Sequence, residues 1–289
     1  MNDLGISLLC AAAIVGLLAN GCGGNSATPP AEEFYPASDP QNEGNWVLRP
    51  DLSDEFDGDS LDATKWIKSG EGGEFVVGWP GRAPSQFAPE NIRVEDGKLK
   101  LATKWDPDYD FVLRRDAEED RRYGTYTTAA VVSRATLKYG YMEVKVKAAD
   151  ASITSSFWAT GPRSELDVFE FVGKSKRSDS GMMFPISVHD WSQGGEMWHD
   201  DVELDWRVAD DLHVYGCEWA ADGLKFYADG ALIREVPASE VGRLWCLREQ
   251  MQIWFDSETF KWEGYPEESD LPVDYEIDYV RVWQRADTE

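Results

Sequence analysis

The chain has 289 residues, 42 % hydrophobic and 12 % aromatic with 13 Trp, so one large or two small domains with a sizeable core are expected. A formal net charge of −26 argues against a nucleic-acid binder, because no basic stripe exists to meet phosphates. The same charge suits an exported protein kept soluble by self-repulsion.

In chain order, residues 4–19 come first as an apolar run, "LGISLLCAAAIVGLLA", too short for a comfortable membrane span. "LANGC" follows, and its small residues leading into Cys22 resemble the lipobox of bacterial lipoproteins. That resemblance implies a signal peptide over 1–21, cleavage before Cys22 and lipidation of its thiol. The n-region "MNDLG" departs from the pattern, carrying Asp3 and no Lys or Arg, and plain secretion is the alternative. Either way the protein is expected outside the cytoplasm, touching membrane only through a lipid anchor. Residues 22–44, rich in Pro, Gly, Ser and acid, read as the lipidated Cys and a flexible tether.

No second linker or repeat follows, so residues 45–286 read as one domain. "GKLKLAT", "YGYMEVKVKA", "SSFWATG", "SELDVFEFV", "HVYGCEWA", "LKFYADG" and "DYEIDYVRVW" alternate or run apolar over five to ten residues, as strands do. "WAADGLKFY" and "YADGALI" each set Asp-Gly between strand-like flanks, a hairpin signal. "LDATKW" and "SEVGRLW" are at most short turns. The fold class is therefore all-β, a two-sheet sandwich or a barrel. Cys217 and Cys246 lie in apolar strand-like runs, where buried free thiols are the expectation and a disulfide the alternative in an exported protein.

The stretch "GPRSELDVFEFVG" holds Glu165, Asp167 and Glu170 inside a strand. With 54 acids in the chain, roughly two matches to this spacing arise by composition alone. Asp57, Asp59 and Asp62 form the second, among small residues that read as a solvated turn. The Glu165 set differs because Leu166, Val168, Phe169, Phe171 and Val172 would pack on a core, so its acids need a solvated cleft on the other face. Residues five apart on a regular strand face opposite ways, and a β-bulge at Val168 or Phe169 would return Glu170 to the face of Glu165 and Asp167. The glutamates would then be four strand steps apart, about 13 Å between Cα atoms, with carboxyls closing to about 5–6 Å as in a retaining glycosidase.

"ELDVFE" resembles the E-x-D-x-x-E signature of glycoside hydrolase family sixteen. "LSDEFDGDSLDATKW", "NIRVEDGKLKLAT", "YGYMEVKVKA", "SSFW", "HVYGCEWAADGLKFYADG" and "IDYVRVWQ" are similar to further stretches of that family, in order over about 240 residues. The resemblance implies a β-jelly-roll sandwich with a concave cleft and retaining endo-hydrolysis. Glu165 would be the nucleophile, Glu170 the acid/base, and Asp167 the residue that orients and modulates the nucleophile. "WPGRAPSQFAPENIRV" and the C-terminal "IWFDSETFKWEGYPEESDLPVDYEIDYVRVW" are similar to segments of agarases and porphyranases, which implies a red-algal galactan, agar or porphyran, as substrate. A κ-carrageenan or furcellaran hydrolase, a β-1,3-glucanase of the same family, and a non-catalytic carbohydrate-binding surface lipoprotein are the alternatives.

By the same resemblance, Trp158 would stack on a sugar, Trp79 and Arg82 would lie at the glycone end, and His189 and Glu258 would face substrate. Each has a plainer reading, as a core Trp, a loop Arg on Trp79, a loop His and an exposed acid. The family also implies a structural calcium ion held by backbone carbonyls and a carboxylate at Glu55, Gly97 and Asp278, against the alternative of an acid solvated or paired with Arg281. No cofactor for catalysis is expected, since three His at 189, 199 and 213 make no H-E-x-x-H and no C-x-x-C is present. A monomer acting on a polysaccharide is expected.

Overall fold

Where the sequence alternates apolar and polar residues the chain runs extended, and the strands assemble into two sheets. The computed structural model describes residues 34–112 and 122–286. One sheet has seven strands, in the order Glu196–Glu203, Met183–Asp190, Ser164–Val172, Thr154–Thr160, Met251–Asp256, Ala130–Leu137 and Trp66–Lys68. The other has ten, with Gly140–Lys147 and Val273–Arg285 side by side at its middle. Consecutive strands pair at one edge of each sheet, while the middle strands pair with partners distant in the chain, as in the expected jelly-roll sandwich.

Alternation decides which side chains meet between the layers. Met142, Val144, Val146, Val280 and Val282 of the ten-stranded sheet join Phe157, Leu166, Phe169, Phe171 and Phe255 of the seven-stranded sheet in one buried cluster. Each such side chain contributes about 1.5–3 kcal/mol when fully buried. The second hairpin forms as its sequence demands: Asp229 and Gly230 both take positive φ, 46° and 78°, joining Gly223–Ala228 to Ala231–Pro237. Among the described residues, helix is confined to short pieces such as Ala238–Val241.

The outer face of the ten-stranded sheet carries a small aromatic cluster of Trp46, Tyr141 and Trp283, with Phe34 packed on it. Trp283 Nε1 donates to the Phe34 carbonyl at 2.9 Å, Ser38 Oγ to Tyr141 Oη at 2.9 Å, and the Ala37 amide to Glu143 at 2.7 Å. Residues 34–44 are thus bound to the sheet, and the expected flexible tether is corrected over that part. The signal peptide and Cys22 lie outside the described residues. Cys217 and Cys246 are free thiols, as the sequence favoured; Cys217 is buried, and Cys246 Sγ donates to the His189 carbonyl at 3.2 Å.

Candidate active site

The strand Ser164–Val172 sits between Met183–Asp190 and Thr154–Thr160. Along the latter, Asp167 pairs with Trp158 and Phe169 with Phe157, so Val168 is the extra residue of a bulge. Glu165 lies opposite Thr160 and Glu170 opposite Ser156, four steps apart on the neighbour despite five in sequence. Leu166, Val168, Phe169 and Phe171 consequently face the core, while Glu165, Asp167 and Glu170 line one cleft. Without the bulge Glu170 would point among phenylalanines, where an unpaired carboxylate costs several kcal/mol.

The cleft has a volume of about 1090 Å³, at the upper end for ligand sites and suited to an extended ligand. Four indoles, Trp79, Trp158, Trp191 and Trp262, wall it. Trp158 is backed by Trp254 in a stack at 4.7 Å and 27°. His189 Nε2 lies 3.0 Å from Asp167 Oδ2 and 3.7 Å from Glu165 Oε1. Trp191 Nε1 donates to Glu165 Oε2 at 3.2 Å.

The electrostatics separate the two glutamates. Burial, then the charge of Asp167, pushes the Glu165 carboxyl up to about 8, while His189 and the Trp191 N–H pull against that rise. Burial also holds Glu170 well above the usual range, with Asp167 and Asp256 adding to it and Arg82 opposing. Glu165 therefore has two donors that favour its charged form, whereas Glu170 faces three acids, Asp167, Asp256 and Glu258. Burial alone would lower the pKa of His189, but the bond to Asp167 and the charges of Asp167 and Glu165 outweigh it and raise it.

The structure places all eight cleft residues singled out from the sequence in this one cavity. Glu258 differs from expectation in its orientation. It is buried, and its carboxylate accepts from Trp79 Nε1 at 2.8 Å and Arg82 Nε at 3.3 Å, so it supports those two residues instead of presenting a free acid to substrate. Arg82 also lies over the rings of Phe260 and Trp262, at 5.0 and 5.6 Å. Sequence reasoning missed Asp256, Trp191, Phe260 and Trp262. Asp256 lies two residues after Trp254 on the same strand face, opposite Ser156, and is held by the Trp158 and Ser156 side chains. Trp191 lies two residues beyond His189, a spacing that could have flagged it.

At the positions expected for calcium, the two carboxylates make ion pairs. Glu55 is gripped by Arg281 through two bonds of 2.8 Å, and Asp278 lies 2.8 Å from Lys145. The expected alternative of an acid paired with Arg281 is thus realised by Glu55. Gly97, at φ 67°, is a turn residue before Lys98–Trp105, with Asp57 near it. The Glu55 and Asp278 carboxylates are thus both engaged by cationic side chains, and no step below uses a metal.

Comparison with known proteins accords with this geometry. Residues 46–285 match the family model of the GH16 domain of β-porphyranases A–D. The chain is 28 % identical over 288 residues to β-porphyranase B of Zobellia galactanivorans, covering 90 % of this chain and 92 % of that one. It is 29 % identical over 276 residues to a κ-carrageenase of Pseudoalteromonas carrageenovora, covering 83 % and 65 %. The crystal structure of porphyranase B from Zobellia galactanivorans superposes with a TM-score of 0.68 at 28 % identity, over 83 % of this chain and 92 % of that one. A sandwich of this topology, with an E-x-D-x-x-E strand lining its cleft and a family match across the whole domain, belongs to the GH16 porphyranase family, and the chain is a glycoside hydrolase.

Proposed function

We propose that the protein is a retaining endo-hydrolase of β-1,4-galactosidic bonds in a red-algal galactan, porphyran or agar. The observation that carries this reading is the intact acid set, turned by the Val168 bulge into an indole-walled cleft, in a chain matched to β-porphyranases over its whole domain. Glu165 attacks the anomeric carbon and Glu170 protonates the leaving oxygen, then takes a proton from the water that releases the glycosyl-enzyme. Asp167 orients His189, and its charge adds to the burial that raises the pKa of Glu170. Trp158, backed by Trp254, offers a face to a sugar ring, and the part of Arg82 not taken by Glu258 is placed to meet a hydroxyl or a sulfate. The apolar leader and Cys22 fit an exported, lipid-tethered monomer meeting its polymer outside the cell.

A second reading, a κ-carrageenan or furcellaran hydrolase, is favoured by the similarity to the κ-carrageenase. Reducing-end release from porphyran, agarose, κ-carrageenan, furcellaran and laminarin, assayed in parallel, distinguishes the two. Release confined to porphyran or agarose is expected. Release from κ-carrageenan or furcellaran alone would favour the second reading. Release from laminarin alone, or binding of a galactan without release, would contradict both.

A further inference from the structure

We propose that Trp191 is a positioning residue for Glu165, its indole N–H steadying the attacking carboxylate from the wall of the cleft. The inference rests on Glu165 acting as the nucleophile. Three observations carry it: the indole Nε1 lies 3.2 Å from Glu165 Oε2, the ring stacks on His189 at 5.4 Å and 8°, and His189 in turn holds Asp167. One aromatic pair therefore fixes both acids on the near side of the bulge.

The turn beneath Trp191 is built to hold the ring there. Its backbone amide donates to the Arg163 carbonyl at 2.8 Å, across from the start of the acid-bearing strand. Asp190 caps the turn by accepting from the Ser192 amide at 2.9 Å. The chain then reverses through Gly194 and Gly195, at φ 78° and 79°. A Cβ on Gly195 would come within 2.7 Å of the indole, so only glycine lets the turn close against the ring. Trp191 itself is 50 % exposed and lines the cleft beside Glu165.

The N–H opposes the burial and the Asp167 charge that raise the pKa of Glu165. The groups facing Glu165 are Asp167 on its own strand, His189 and Trp191 on the adjacent strand and turn, and Glu258 from across the cleft. Of these, His189 and Trp191 favour the carboxylate, and the two acids disfavour it. Removing the N–H while keeping the ring should raise the acidic limb of the pH profile, because Glu165 must be ionised to attack.

The test is Trp191→Phe in the full chain, assayed across pH on the galactan that the parent cleaves, beside Glu165→Gln. The expected result is a fall in kcat of about tenfold, the scale of one hydrogen bond to a charged group, with KM little changed and the acidic limb moved to higher pH. Gly195→Ala, which leaves every polar group in place but crowds the ring, should move the limb the same way. If Glu165→Gln is inactive while Trp191→Phe keeps the parental kcat and limb, the positioning role is wrong. If Glu165→Gln remains active, the nucleophile assignment fails first and the role proposed for Trp191 falls with it.

Discussion

Glu165→Gln should lower kcat by about 10³-fold or more while leaving the fold and substrate binding intact. An amide fills the same space but cannot attack the anomeric carbon, so the covalent route closes. The fold should not suffer, because Glu165 is crowded by Asp167 and Glu258, and neutralising one of several like charges relieves repulsion. Thermal melting should therefore give a midpoint equal to or above the parent's. A variant within tenfold of parental kcat would remove Glu165 from the chemistry.

Glu170→Gln should cost about 10²–10⁴-fold, the usual range for a lost general acid, and should also change the pH profile. Glu170 must be protonated to assist departure, and burial with Asp167 and Asp256 raises its pKa. Activity that needs the protonated form is present below that pKa and falls as pH rises through it. The basic limb of kcat/KM therefore lies above the usual carboxylate range and should disappear in Glu170→Gln. Glu165 must be ionised, and its pKa is raised too, so the acidic limb also stands above the usual carboxylate range. The whole bell is displaced upward, and its two limbs belong to a coupled set of acids as much as to either residue. An optimum near pH 4 would contradict this electrostatic account. A basic limb that survived in the variant would reassign the acid.

The bulge is legible in the sequence because alternation is a strict rule: three acids at this spacing in an apolar strand can share a face only if one residue is skipped. The sequence confines it to Val168 or Phe169, since either side chain suits the core, and the register assigns it to Val168. The Asp229-Gly230 turn was legible because its chemistry is local. What stayed hidden depended on partners far away in the chain. Residues 34–44 have the composition of a linker, yet Phe34 finds Trp283, and Ala37 finds Glu143, more than a hundred positions on. Glu258 reads from the sequence as an acid facing substrate or, failing that, an exposed one, and only the fold shows that Trp79 and Arg82 occupy its carboxylate. Trp191 is hidden by number, one indole among 13, and beyond its spacing from His189 what sets it apart is its distance to Glu165 and its stacking on His189.

The most direct measurement is the anomeric configuration of the first product, followed by proton NMR while the full chain hydrolyses porphyran or agarose. Two displacements through a glycosyl-enzyme on Glu165 predict that the β-anomer appears first and mutarotates slowly to the equilibrium mixture. First appearance of the α-anomer would mean that water attacks directly, and would contradict the nucleophilic role that the bulge, the cleft and the Trp191 bond together support.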